Sequence, residues 1–333
     1  MSQSCIFGCS GPVLTRDETE FFRKTQPWGF ILFARNVETP DQLRGLCASL
    51  RDAVGRDAPI LIDQEGGRVA RMQPPRWRRY LPPLELARSR DPVRAFWLRG
   101  RLIAAELRDV GIDVNCTPMV DVATPQTHPF LRNRCYGPDP TTVAQLGRTL
   151  AEAQMAGGVL PVLKHIPGHG RAQVDSHLEL PRTDASANDL RAVDFAPFKA
   201  LNDLPIAMSA HVLYEAFDAE RPATQSTVII ELIRNEIGFK GLLMTDDISM
   251  EALSGDVATR GQAALAAGCD LVLHCNGKMP EMLALAEALG PMSEPSLKRA
   301  EAALKARLPQ GSDPVPVDIA ACAAELEALE RGI

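Results

Sequence analysis

The chain has 333 residues, with 42 Asp and Glu against 36 Lys and Arg, for a net charge of −6. This mild acidic excess is not typical of a protein that binds nucleic acid or an anionic membrane. With 45% hydrophobic and 23% charged residues, the composition is that of a globular protein, which excludes disorder, a collagen-like chain and a coiled coil. The size permits a large core that needs neither metal nor disulfide.

Eight cysteines occur without a CxxC pair, several of them inside apolar runs. They are too sparse for a disulfide scaffold, so we expect most of them to be small buried hydrophobic residues. The N-terminus lacks the pattern of a signal peptide, and no apolar run approaches the roughly 18 residues of a membrane span. We therefore expect a soluble, cytoplasmic protein.

Eight short apolar runs recur along the chain, each followed by loop residues. They lie at 5–9, 28–33, 59–62, 112–116, 160–163, 205–208, 242–244 and 270–273. Between several of these runs lie amphipathic patterns that predict helices at 41–54, 93–110, 141–156, 227–237 and 259–267. Glycine follows each of these patterns, as expected for left-handed helix caps.

Short, uniformly apolar strands that alternate with helices indicate parallel strands buried on both faces. Eight such units predict a single (β/α)8 barrel domain over 1–333, in which about residues 280–333 form a C-terminal helical cover. A doubly wound open sheet would also explain the alternation. It would need a glycine-rich phosphate loop after the first strand, and Gly8 and Gly11 are a poor substitute.

In a barrel of this class, catalytic groups lie where the strands end and the βα loops begin. We therefore expect the polar residues at the strand ends to converge in space. They are Asp63, Asn115, Lys164, His165, His211, Asp246, Asp247 and His274.

Three of the six histidines fall within 165–177, a stretch that also carries Asp175 and is interrupted by glycine and proline. We expect a loop immediately after a strand. One interpretation is a metal site formed by His165, His169, Asp175 and His177. A second is a proton-transfer pair in which the Asp175 carboxylate orients His177. A solvated polar loop is the third.

Two adjacent acids, Asp246 and Asp247, directly follow an apolar run. Because successive side chains of a strand point to opposite sides, one acid can face the barrel mouth while the other holds the loop. Alternatively, both acids cap the following helix. The functional interpretation makes one of them a carboxylate nucleophile.

Two further motifs are DQEGGRV at 63–69 and NRCYG at 133–137. Asp63 could hold sugar hydroxyls, and the two glycines that follow permit close approach of a ligand, although a simple turn explains them as well. Arg134 is a candidate clamp for a polar substrate group.

Together with KHIPGHG (164–170), DSH (175–177) and TDDISM (245–250), these motifs occur in an order that resembles the β-N-acetylhexosaminidases of glycoside hydrolase family 3, of the bacterial NagZ type. The resemblance covers about residues 1–280. It implies that Asp246 is the nucleophile, His177 the general acid/base and Asp175 its partner. It further implies that Asp63, Arg134, Lys164 and His165 hold N-acetylglucosamine. Arg171 departs from the family pattern, where Asp or Asn is common.

The resemblance implies a retaining exo-enzyme that removes terminal β-1,4-linked N-acetylglucosamine from 1,6-anhydro-N-acetylmuramic acid, with or without a peptide, during cell-wall recycling. It also implies a small-molecule sugar substrate, with neither cofactor nor metal, and we expect a monomer. Three alternatives stay open. They are a substrate-assisted mechanism in which the acetamido oxygen attacks, a metal-dependent barrel hydrolase that uses the 165–177 cluster, and a sugar-binding barrel without activity.

Overall fold

The computed structural model describes residues 2–172, 180–309 and 311–331. Eight parallel strands close into a barrel in which each strand pairs with its neighbours in the chain and the last pairs with the first. The strands are β1 (Gln3–Phe7), β2 (Pro27–Leu32), β3 (Ile60–Ile62), β4 (Val114–Asn115), β5 (Leu160–Ile166), β6 (Ile206–Ser209), β7 (Leu242–Asp247) and β8 (Leu271–His274). The predicted (β/α)8 fold class is confirmed, and the open-sheet alternative is wrong.

Helices surround the barrel. They are α1 (Arg16–Thr25), α2 (Pro40–Val54), α3 (Pro92–Asp109), α4 (Pro140–Ala156), α5 (Ala196–Ala200), α6 (Thr227–Leu232), α7 (Val257–Ala267), α8 (Met279–Leu289), α9 (Glu294–Lys305) and α10 (Ile319–Glu330). Single turns occur at Ala34–Asn36, Pro83–Leu86, Pro129–Arg132, Ala187–Asp189 and Ala223–Gln225, and wider π turns at Leu190–Asp194 and Ile233–Ile237. Two small sheets pair Gln64–Gly66 with Val69–Ala70 and Arg182–Thr183 with Leu213–Tyr214.

The helix boundaries follow local chemistry. Thr39 caps α2 by accepting a hydrogen bond from the Gln42 amide, and Pro40 occupies the first turn, where its missing N–H is not needed. At the other end of a helix, Gly268 takes φ 112° after α7, a conformation that a side chain would strain.

The core has two layers, as expected for a barrel whose strand residues alternate between inside and outside. Inward-facing side chains such as Leu61, Val162 and Met244 fill the barrel, whereas outward-facing ones such as Ile62, Leu163 and Leu243 pack with the helices. The barrel interior is therefore packed rather than open.

The C-terminal segment closes the end of the barrel where the strands begin. On α9, Ala300, Ala303 and the partly buried Leu297 pack with the inward-facing side chains of the barrel. The buried carboxylate of Asp270, just before β8, accepts hydrogen bonds from Arg299 and from Ser296 at 2.7 Å each. The carboxyl end of the strands is consequently the open end.

All eight cysteines are buried and unpaired. Within the described part of the chain, the helices are all too short or too polar to cross a membrane.

Candidate active site

A cavity of about 280 Å³ lies at the carboxyl end of the strands. The sequence-predicted residues Asp63, Arg134, Lys164, His165 and Asp246 line it together, joined by His169, Asp247 and the side chains of two apolar residues, Phe33 and Met250, among others. Side chains at the ends of β3, β5 and β7 thus meet in one pocket, although Asp63 and Asp246 lie 183 positions apart in the chain.

Two pairs of polar residues that were expected just after strands lie within the strands instead, which corrects the predicted boundaries. The pair Lys164 and His165 belongs to β5, and the pair Asp246 and Asp247 belongs to β7. Polar residues continue these strands because neighbouring strands are long enough to pair with them, as Met208 does with Lys164 and Leu273 does with Asp247. The reactive groups are therefore mounted on rigid backbone.

A buried ion cluster forms one wall of the cavity. Lys164 Nζ lies 2.8 Å from Asp63 Oδ1 and 2.6 Å from Glu65 Oε1. The Arg134 guanidinium bonds Glu65 through Nε and Nη2 at 2.9 and 2.8 Å, and Arg71 Nη2 lies 3.1 Å from Asp63 Oδ2. Sequence reasoning missed Glu65 and Arg71, although both belong to or adjoin the 63–69 motif.

The cluster stays ionised despite its burial. Burial raises the pKa of Glu65, but the charges of Arg134 and Lys164 outweigh it and lower that pKa to about 2. Burial likewise opposes ionisation of Lys164, yet the Asp63 and Glu65 carboxylates hold its pKa above the usual value. Fixed charges of both signs at the cavity wall suit the recognition of sugar hydroxyls, which both donate and accept hydrogen bonds.

The two acids at the end of β7 both border the cavity but make different contacts. Asp246 lines the cavity, and its Oδ1 accepts a hydrogen bond from the Asp247 amide at 2.8 Å. Asp247 instead accepts from Ser249 N and Oγ at 3.1 and 2.8 Å and from Cys275 N at 3.2 Å. The helix-capping alternative is wrong, because Asp256 caps the next helix, α7.

Asp246 is held as a carboxylate. Burial raises its pKa, but the neighbouring His165 and His211 and the hydrogen bond from the Asp247 amide bring it below the usual value. His165 Nε2 lies 3.9 Å from Asp246 Oδ2. An ionised carboxylate beside polar donors has the chemical character of a nucleophile.

His165 is anchored on its other side by Asp121, a residue that sequence reasoning also missed. His165 Nδ1 lies 2.7 Å from Asp121 Oδ2, and Asp121 Oδ1 accepts from the His169 amide at 2.7 Å. Asp121 lies in an apolar stretch, 117–123, far from the recognised motifs, so only its isolation as a charge among apolar residues could have signalled it.

Three of the expected strand-end residues do not face the cavity. The Asn115 amide group bonds the backbone of Gln64, and His274 Nε2 bonds Glu281 at 3.0 Å outside the barrel. Both side chains point outward because their neighbours Cys116 and Leu273 face inward. His211 is buried behind the cavity wall, where it contacts Thr224 Oγ1 and the Asp247 carbonyl.

Asp175 and His177 lie outside the described residues. The segment that leads towards them is firmly held up to Ala172. Tyr214 donates to the Gly168 carbonyl, Thr127 donates to the Gly170 carbonyl at 2.6 Å, and Arg171 Nε bonds Asp194 at 2.7 Å.

The proposed metal ligands can be examined where they are described. The ligand atoms of Asp121, His165 and His169 all lie within 4.8 Å of one another. However, both Asp121 oxygens already accept N–H donors, and the 2.7 Å between its Oδ2 and His165 Nδ1 is a hydrogen-bond distance. Two ligands that are each about 2 Å from a tetrahedral zinc ion are farther apart than this. The arrangement fits a hydrogen-bonded pair rather than an ion cage.

Comparisons with known proteins give one consistent result. Residues 12–305 match the family described as glycosyl hydrolase family 3 N terminal domain. A β-hexosaminidase of Pseudomonas aeruginosa is 36% identical over 290 residues, which are 86% of each chain. A β-hexosaminidase of Bordetella avium is 37% identical over 277 residues, which are 80% of this chain and 79% of that one.

Solved structures agree with this. Native NagZ from Neisseria gonorrhoeae superposes with a TM-score of 0.88 at 29% identity and covers 99% of this chain and 98% of its own. The same protein in complex with zinc ion gives a TM-score of 0.87 at 28% identity, covering 99% and 98%. A family 3 β-N-acetylglucosaminidase from Paenibacillus gives 0.85 at 28% identity, with coverage of 98% of this chain and 67% of that one. The chain therefore belongs to glycoside hydrolase family 3, and it is a glycosidase of the β-hexosaminidase type.

Proposed function

We propose that this glycosidase is a retaining exo-β-N-acetylglucosaminidase that acts through a covalent glycosyl intermediate on Asp246. The observation that carries the proposal is the placement of Asp246. It is the one acid of the β7 pair that is left free of turn contacts, and it is ionised in a pocket walled by fixed polar groups. The names of the β-hexosaminidase and β-N-acetylglucosaminidase relatives support the substrate class.

In the proposed reaction, an Asp246 oxygen forms a bond to the anomeric carbon while the bond from that carbon to the glycosidic oxygen breaks. His177, oriented by Asp175, donates a proton to the departing oxygen and later takes one from the water that attacks the intermediate. This assignment of His177 and Asp175 rests on the family resemblance. Asp63, Arg134, Lys164 and His165 hold the sugar ring.

The cavity favours release of a single terminal sugar. Its volume of about 280 Å³ is at the small end of ligand pockets, which span roughly 300–1,000 Å³. The side chains packed inside the barrel close its floor. A pocket with these dimensions accepts one ring at a chain end.

We infer that the natural substrate is N-acetylglucosamine β-1,4-linked to 1,6-anhydro-N-acetylmuramic acid, with or without a peptide, in cytoplasmic cell-wall recycling. The support is the family resemblance and the eight unpaired buried cysteines, which suit a reducing compartment. We further propose that the protein is a monomer that needs no cofactor, which size-exclusion chromatography with light scattering and activity of the metal-free protein will test.

The first test is hydrolysis of 4-nitrophenyl N-acetyl-β-D-glucosaminide. The wild-type protein should release nitrophenol, whereas Asp246→Ala should abolish turnover of this and every other substrate because no intermediate can form. A 2-fluoro analogue of the sugar should label Asp246, as read by peptide mass spectrometry. Labelling of another residue would remove Asp246 from the nucleophile role.

A second test concerns the acid. Proton donation is worth about 10²–10⁴-fold in rate, and a poor leaving group needs it more than an activated aryl group. His177→Ala should therefore lose much more kcat/KM on a disaccharide than on an activated aryl glycoside. Equal losses on both substrates would mean that His177 does not protonate the leaving group.

Two alternatives make different predictions. In the substrate-assisted mechanism, a thiazoline analogue inhibits strongly and no sugar–enzyme adduct forms. The turn contacts of Asp247 disfavour it, because that mechanism would use both acids. The proximity of Asp121, His165 and His169 is the observation in favour of a metal-dependent hydrolase. Dialysis against a strong chelator should leave activity unchanged, and a loss restored by zinc would favour that alternative.

A further inference from the structure

Asp121 is a buried carboxylate that links two of the motifs that line the cavity. Its side chain is fully buried, and it follows β4, whereas its partners belong to β5 and the segment after it. It accepts hydrogen bonds from the His165 amide at 3.3 Å, the His169 amide at 2.7 Å and the His165 ring at 2.7 Å. Three donors for one carboxylate leave its charge well compensated.

The ring contact determines which nitrogen of His165 carries a proton. An ionised carboxylate can only accept a hydrogen bond, so the ring nitrogen that faces it must donate. Burial raises the pKa of Asp121, but His165 and the His169 amide outweigh this effect and hold that pKa below its usual value. Asp121 is thus ionised, and Nδ1 of His165 is protonated.

The opposite nitrogen of the same ring then faces the reacting group. His165 Nε2 lies 3.9 Å from Asp246 Oδ2, so the ring spans the space between the two carboxylates. A flipped ring would turn a C–H group towards Asp121 Oδ2 and break the hydrogen bond to that buried oxygen, which disfavours the flip. In addition, His169 packs edge-on against the His165 ring with centroids 5.4 Å apart.

We propose that Asp121 is a positioning residue of the active site, which fixes the orientation and tautomer of His165 so that Nε2 is presented to the sugar and to Asp246. The proposal rests on the assignment of Asp246 as nucleophile. Its role differs from that of the residues that touch the sugar, because Asp121 acts only through His165. An analogous carboxylate–histidine pair orients the base in serine hydrolases.

The tautomer can be read directly in the wild-type protein, without a variant and without substrate. In ¹⁵N-histidine-labelled protein, long-range ¹H–¹⁵N spectra distinguish the two ring nitrogens, and His165→Gln assigns the signals. We expect a proton on Nδ1 of His165, with a downfield resonance from its short hydrogen bond to Asp121. A proton on Nε2 with a bare Nδ1 would overturn the proposal even if Asp246 is the nucleophile.

Asp121→Asn tests the catalytic consequence. The asparagine oxygen can still accept from the two backbone amides, but its NH2 group then takes the place of Oδ2 and donates to His165 Nδ1, which favours the opposite tautomer. We expect kcat on an activated aryl N-acetylglucosaminide to fall about 10- to 100-fold with a much smaller change in KM. The Nδ1–H resonance of His165 should be lost.

A matched control separates this role from simple anchoring of the segment. Asp194 is also a buried carboxylate, and it holds Arg171 of the same segment at 2.7 Å without touching His165. Asp194→Asn should keep the Nδ1–H resonance and the wild-type shape of the pH–rate profile, whereas Asp121→Asn should change both. Identical changes in the two variants would reduce Asp121 to a structural anchor.

A double-mutant cycle completes the test. If Asp121 acts through His165, Asp121→Asn should lower kcat no further in a His165→Gln background. Fully additive losses would show that Asp121 acts by another route. Thermal unfolding of each variant verifies that the comparison is made between folded proteins.

Discussion

The histidine side chains at the barrel mouth differ sharply in their surroundings, although all are buried. His165 is held by Asp121, and His211 is held by Thr224 and the Asp247 carbonyl. Within the described residues, both ring nitrogens of His169 lack a hydrogen-bond partner. Burial, reinforced by the nearby His165, lowers the pKa of His169 to about 4. His169 is therefore neutral at physiological pH.

This neutrality predicts a pH dependence of stability. Because the folded pKa is below the unfolded value of about 6.5, the unfolded state binds the extra proton, and stability rises as pH increases from about 4 to about 6.5. His169→Gln removes this contribution. The free energy of unfolding of the wild type relative to His169→Gln should increase by about 3 kcal/mol over that window.

Urea unfolding at a series of pH values measures this difference. A pH-independent difference between the two proteins would mean that His169 is protonated as readily in the folded state as in the unfolded chain. His128 is the control, since it lies in a half-buried position at the surface. Comparison with His128→Gln separates the effect of burial from the effect of the substitution itself.

The sequence indicated some residues of the candidate site and missed others. The different contacts of Asp246 and Asp247 follow from strand alternation alone, and the positions of Asp63, Lys164 and His165 at strand ends follow from the barrel. Glu65, Arg71 and Asp121 could not be found this way, because their roles depend on partners that are distant in the chain.

The sequence misplaced Asn115 and His274. Which side of a strand faces inward depends on the register of the strand, and short apolar runs do not reveal that register.

At the scale of elements, the segment 167–172 after β5 is shaped by close backbone contacts. A Cβ on Gly170 would lie 1.9 Å from the Val122 carbonyl oxygen, and a Cβ on Gly168 would lie 3.0 Å from Asp194. These glycines let the segment lie directly against the loop after β4. The sequence predicted a loop here from its glycine and proline residues, and the described part of it, up to Ala172, is tightly packed.

Gly170→Ala is therefore expected to displace the segment. Backbone atoms cannot yield as a flexible side chain can, so the hydrogen bonds from the His169 amide to Asp121 and from Thr127 to the Gly170 carbonyl should be lost. We expect a loss of about 2–4 kcal/mol in stability and a decrease in kcat/KM.

Gly11→Ala is the matched control, since nothing lies within 4 Å of its added Cβ and its φ is not positive. Thermal unfolding and the nitrophenyl assay compare the two variants. If Gly170→Ala behaves like Gly11→Ala, the contact with Val122 does not constrain the segment.

For the whole molecule, a length of 333 residues is compatible with one domain or with two. The eight strand ends and the helices between them favoured a single barrel, and the closed sheet agrees with that architecture. The sequence indicated helices after 280 but not their placement. α8 packs against α7, α9 closes the barrel floor, and α10 packs against α3. Their placement depends on buried ions such as Asp270, which no helical pattern identifies.

Asp270→Ala should consequently destabilise the entire fold. Arg234 and Arg299 each lie 2.7 Å from the Asp270 carboxylate, and removal of that carboxylate leaves both cations without this partner. Breaking such a buried pair costs about 3–5 kcal/mol.

Lys298→Ala on the same helix is the control, because its ion pair with Glu294 is exposed to solvent. It should leave the free energy of unfolding almost unchanged. Chemical unfolding followed by both tryptophan fluorescence and circular dichroism compares the variants. A small loss for Asp270→Ala would show that α9 contributes little to the barrel.

Within the described residues, the packed barrel interior closes the cavity on the side of the barrel floor, and this imposes an order of events. On the proposed mode of binding, the sugar ring lies at the blind end and its aglycone lies nearer the mouth. Because the aglycone lies between the sugar ring and the mouth, it must leave first. Water then reaches the intermediate only through the position that the aglycone vacates. Any hydroxyl compound that lingers in that position competes with water for the glycosyl group. Binding of the sugar at a closed end thus makes transfer of the glycosyl group to accumulated product an inherent side reaction. The rate of this reaction increases as product builds up.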